Sequence, residues 1–124
     1  GQVLLSLEND VKTSSIVAAV RKKDLIATGT SYEHIAGIHD ELVSYIGDAD
    51  RFVLFVEVDD SQFEVRIHFE DIAEAERFSA YVGERVIDDL VVLKRQAYLF
   101  EELKQEILSQ LSDFQKISLH SPSE

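Results

Sequence analysis

The chain has no cysteine, no methionine and no tryptophan, and only one proline and five glycines in 124 residues. Without cysteine there is no disulfide framework, no thiolate zinc site and no cysteine nucleophile. A cysteine-free chain suits the reducing cytoplasm, the compartment expected for it. No run of about 18 apolar residues occurs, so no segment is expected to span a membrane. The opening Gly1-Gln2-Val3 lacks the basic and apolar regions of a signal peptide, and a glycine in place of methionine suits a piece of something longer. Gly29 and Gly37 are isolated, so no glycine-rich loop cradles a phosphate, and no serine stands in a GxSxG elbow. Positive charge is the remaining scarcity. Twelve Lys+Arg face 24 Asp+Glu, a net of −12. A surface this negative repels nucleic acid and anionic membranes and attracts basic partners. The one basic spot, Arg21-Lys22-Lys23, has no interleaved aromatics and reads as a solvated hairpin turn.

Apolar residues are not scarce. They make up 45% of the chain and fall in periodic blocks, so the acidic surface belongs to a folded protein rather than a disordered one. The length fits a single domain, expected over residues 1–116, with 117–124 and its Pro122 as a frayed tail. Residues 2–8 read as an edge strand closed by Asn9-Asp10. Residues 15–30 read as two strands around the Lys22-Lys23-Asp24 turn, because β-branched residues dominate and Gly29 weakens a helix. Thr30 to Ile46 reads as a helix with a Thr30–Glu33 capping box and Gly47 at its end. The clearest pattern is residues 51–69. Phe63, Val65, Ile67 and Phe69 alternate with polar residues, and the preceding strand is apolar on both faces, which marks it as central. Setting Phe52, Leu54, Val56 and Val58 against the apolar face of the second strand makes paired residue numbers sum to an odd value. A sum of 119 avoids the Glu57–Glu64 like-charge pair and leaves Asp59-Asp60 in the loop.

Asp71 caps the next helix, with Glu74 in its first turn and Ile72, Ala75, Phe78, Tyr81 and Val82 pointing inward. Beyond Gly83 two readings compete. In one the helix stops, VIDDLVVLKR is a strand and a last helix starts near Ala97. In the other, preferred one, a helix runs from 71 to about 116, kinked near Gly83. Its basis is a stripe spaced only by threes and fours, which includes Val86, Leu90, Leu93, Ala97, Phe100, Leu103, Ile107, Leu111 and Phe114. So long a stripe exceeds what one small sheet covers, and it is expected to meet another chain. The fold class is α+β, an antiparallel sheet built on hairpins with a packed helix and the long C-terminal helix.

No catalytic, cofactor-binding or metal-ligating constellation stands out. His34 and His39 are five apart, which on a helix puts them on different faces, whereas a helical metal pair uses four. His68 alternates with core residues and His120 lies in the tail. Asp48/Asp50, Asp59/Asp60, Glu70/Asp71 and Asp88/Asp89 sit where turns and helix starts favour acids. EVDDSQFEVRIHFE lacks the central glycine of an EF-hand loop.

The charge is uneven. Thirteen acids against four bases fall between residues 48 and 89. Glu57, Asp59, Asp60, Glu64, Glu70 and Glu74 are therefore expected to form one acidic face on the hairpin and the helix after it. The function these features suggest is a non-enzymatic protein–protein interaction domain. It would self-associate or assemble through its C-terminal helix and offer the acidic face to a basic partner. Nucleic acid, membrane and cofactors are not expected among its ligands. The alternatives are a small acidic immunity, antitoxin or chaperone-type protein or nucleic-acid mimic, and, least, a carboxylate- or metal-dependent enzyme.

Overall fold

A computed structural model describes residues 6–29, 37, 49–87 and 89–120. Six strands form one sheet: β1 (Ser6–Asp10), β2 (Ser15–Val20), β3 (Arg51–Asp59), β4 (Gln62–Phe69), β5 (Val86–Ile87) and β6 (Leu90–Gln96). Three helices accompany them: α1 (Lys22–Thr28), α2 (Ile72–Val82) and α3 (Phe100–His120). The spatial order is β1-β2-β3-β4-β6-β5. The α+β class holds, but the sheet is mixed. β2 and β3 run parallel and all other neighbours antiparallel. Parallel neighbours need a crossover, and residues 21–50 supply it.

Each face of the sheet carries its own core. Val17, Val53, Phe55, Phe63, Val65, Ile67, Phe69, Val91 and Leu93 project to one side, where Ala75 and Phe78 of α2 and Leu103, Ile107, Leu111 and Phe114 of α3 close over them. Ala18, Val20, Phe52, Leu54 and Val56 project to the other side, with Ile16 and Leu25 of α1 against them. β3 is thus buried on both faces, as its unbroken apolar run requires. That double burial also defeats the odd-sum register. Phe55 pairs with Val65 and Val56 with Glu64, a sum of 120, until an irregularity between Glu57 and Asp59. Since either face of β3 can be a core face, its even residues need not match the apolar face of β4, and Glu57 meets Phe63 rather than a carboxylate.

Two other expectations give way. Residues 22–28 are helix, not strand. The Asp24 carboxylate accepts from the Arg21 amide at 3.2 Å, and Gly29 ends the helix in a left-handed conformation, φ 66°. The continuous helix from 71 to about 116 is broken at Gly83, whose φ of 75° turns the chain out of α2. The β-branched residues that follow enter β5 and β6, and α3 starts afresh at Phe100. It runs on to His120, so residues 117–120, expected in the tail, are helical. The helix expected over Thr30–Ile46, with His34 and His39, lies outside the described residues except for Gly37.

Candidate functional site

The stripe expected to meet a partner faces its own sheet instead. Leu93, Leu103, Ile107, Leu111 and Phe114 are buried in the helix-side core, and Val86, Ala97 and Phe100 pack against it. The Phe100 ring stands edge-on to Phe55 at 5.3 Å between centroids. Leu90 pairs with His68 and so projects to the opposite face. The broken helix explains this. Spread over β5, β6 and α3, the same residues wrap one small core rather than project beyond it.

The acidic face is likewise dispersed, and most of its members hold cations of their own chain. Glu57 Oε1 accepts from Arg21 Nε at 3.1 Å and from the Lys22 amide at 3.0 Å. Burial pushes this carboxyl up, but the Lys22 amide and the Arg21 guanidinium outweigh it and hold it below the usual carboxylate range. Lys22 Nζ reaches Asp59 at 2.8 Å and Asp60 at 3.4 Å. The hydrogen bond to Asp59 raises the lysine and lowers the aspartate. Glu64, on the other face of the sheet, is nearly buried beside Arg66 at 2.8 Å. Glu74 pairs with the buried Arg51 at 2.9 Å. Arg51 also donates to the Thr13 carbonyl, so it joins the β1–β2 turn, β3 and α2. Glu70 is exposed beyond the end of β4. Alternation separates Glu57 from Glu64, and the length of β4 separates both from Glu70 and Glu74. The Arg21-Lys22 pair, read as a solvated turn, is the countercharge of the hairpin. Only the parallel pairing of β2 with β3 brings it there.

The exposed feature of this region is apolar. The Ala97 amide donates to the Ser61 carbonyl at 2.9 Å, which fastens the β6–α3 connection to the β3–β4 turn. There Tyr98 is 83% exposed, Leu99 59% and Val58 45%. Gln96 Nε2 lies 3.4 Å from the Tyr98 hydroxyl. A shallow hollow of 310 Å³ at this end of the sheet is lined by Val58, Gln62, Phe63, Glu64 and Lys94. Asp59 and Asp60 border the patch on the turn, and Glu101 and Glu102, also exposed, follow it in the first turn of α3. The sequence carries this signal weakly, as two apolar residues adjacent in the chain that cannot both join the stripe.

His68 Nδ1 lies 3.3 Å from Asp89 Oδ2. Among the described residues no three His, Asp or Glu side chains gather where a metal ion could sit, and no helix is long and apolar enough to cross a membrane.

No protein family and no curated protein matches the chain by sequence. In structure it is similar to an exopolyphosphatase-related protein from Bacteroides fragilis, with a TM-score of 0.70 and 11% identity. The likeness covers 90% of this chain and 32% of that one, so the chain spans about a third of its neighbour's length. At this identity the likeness concerns the fold.

Proposed function

We propose that the chain is a non-enzymatic, cytoplasmic protein–protein interaction domain that meets a basic protein partner with the end of the sheet where the β3–β4 turn and the β6–α3 connection join. The observation that carries this is the exposure of Tyr98 and Leu99, adjacent in the chain, directly after the Ala97 amide that is fastened to the β3–β4 turn. Tyrosine beside aliphatic side chains is the composition of an interface centre, and the bordering Asp59, Asp60, Glu101 and Glu102 favour a positively charged counterpart. The likeness to one third of a longer protein suits a module that works against other parts. Polyphosphate hydrolysis, which the neighbour's name suggests, fits less well, because a net charge of −12 repels a polyanionic substrate.

The test starts from a partner captured from the native source, purified and titrated directly against the wild type and a Tyr98→Ser/Leu99→Ser variant. The variant should lose about 2 kcal/mol of binding, roughly 30-fold, with its melting temperature unchanged. Binding should also weaken steeply as salt rises from low to moderate. Equal binding by the variant sinks the proposal. A molar mass in solution of twice 14.0 kDa, abolished by the same variant, would reassign the surface to a second copy.

A further inference from the structure

β1 is attached to the sheet by its backbone and by little else. Leu7, Glu8 and Asn9 are exposed, and none of them joins either core. The face of β1 turned to the helices carries Glu8 and Asp10, the partners of Val17 and Ser15. On the other face Leu7 is 56% exposed. Among the described residues, one side-chain contact ties the strand to a distant element. It runs from Glu8 to Lys104 Nζ at 3.0 Å, and the glutamate is largely solvated, which makes such a pair weak.

The turn that follows is held far more firmly. Thr13 and Ser15 are buried. Arg51, itself buried, donates to the Thr13 carbonyl, and the Asp50 amide donates to the Ser14 carbonyl at 3.0 Å. Inside the turn the Thr13 amide donates to the Asp10 carboxylate at 3.1 Å and the Ser14 amide to the Val11 carbonyl at 3.2 Å. Turns are ordinarily less stable than the strands they join. Here the turn is nailed to the start of β3 and the strand is not.

We propose that β1 is a hinged strap. It peels from β2 beginning at Ser6, pivots where Asp10 meets the anchored turn, and closes again while the rest of the fold stays intact. Opening exchanges ladder hydrogen bonds for bonds to water and gives up one weak ion pair, and β1 has no buried apolar side chain of its own to lose. What opening bares is the edge of β2, whose residues after Ser15 are all apolar and which can pair with another strand. Closed, the strap presents an edge carrying Glu8 and Asp10, and charge on an edge discourages further pairing.

Native-state hydrogen exchange of the purified chain, followed amide by amide by NMR, tests this. The β1 amides bonded to β2 should exchange about a hundredfold or more faster, relative to their intrinsic rates, than the core amides of β3 and α3. The Thr13 and Ser14 amides should be protected about tenfold or more beyond those of β1, the reverse of the usual order of strand and turn. Glu8→Gln leaves Lys104 its contact with Glu101 and alters only an exposed side chain, so the variant folds. It should speed exchange in β1 about threefold and leave β3 and α3 unchanged. Three results overturn the proposal: β1 amides as slow as those of β3, a turn that exchanges together with β1, or a Glu8→Gln variant whose β1 exchange is unchanged or is accelerated equally throughout the molecule.

Discussion

At the scale of single residues, partners decide what a charge does. Glu57 was legible as an acid at the end of a strand, but not as the acceptor of an arginine and a backbone amide 36 and 35 residues away. Its carboxyl is held below the usual carboxylate range, against a reference of 4.5. The folded state therefore gains from Glu57 above that reference value, and the gain is lost as pH falls below it through the lower folded value. Glu57→Gln should cost about 1 kcal/mol at neutral pH, because Arg21 is partly solvated, and should flatten the loss of stability below pH 4.5 in acid titrations followed by circular dichroism. An unaltered acid limb would show that the clamp does not contribute. Lys104 has the opposite sign. Burial lowers it, but Glu8 and Glu101 outweigh that and raise it above 10.5, so its contribution persists until the pH passes well into the alkaline range.

At the scale of elements, conformation at one residue outweighed periodicity over forty. The spacing of Ala75, Phe78, Val82, Val86, Leu90, Leu93 and onward satisfies a helix at every step, yet Gly83 sits at φ 75° and the chain turns into β5. A Cβ at Gly83 would meet nothing within 4 Å, so a substitution there is opposed by backbone conformation rather than crowding. Gly83→Ala should cost about 1 kcal/mol in urea unfolding, and Gly83→Asn distinctly less. Equal losses would mean that something other than the left-handed cap ends α2. The same kind of override explains α1. β-branched residues and Gly29 argue for a strand, but Gly29 serves as a left-handed cap and Leu25 has a second core to pack against.

At the scale of the molecule, one sheet with a core on each face absorbs most of the apolar residues of its central strands and of the C-terminal stripe. This matters for how association is tested. Ile107 is fully buried against the sheet, so Ile107→Ala should destabilise the chain by about 2–5 kcal/mol and leave its molar mass in solution unchanged. A stable chain with altered mass would return the stripe to the surface. Ten large apolar side chains stay exposed among the described residues, and of these Tyr98 and Leu99 stand side by side next to the β3–β4 turn.

Alternation and capping are local, and the sequence alone determined them: the β3–β4 hairpin, the central character of β3, the Asp71 cap of α2, the α+β class and the concentration of acid between residues 48 and 89. Each depends on neighbours within a few positions. Only the tertiary structure decided which face of β3 meets which face of β4, that β2 lies parallel to β3, that Arg21 and Lys22 answer the hairpin acids, and that the C-terminal stripe closes its own core. These depend on pairing between segments far apart in the chain. An apolar residue records that it will be buried, but not against what.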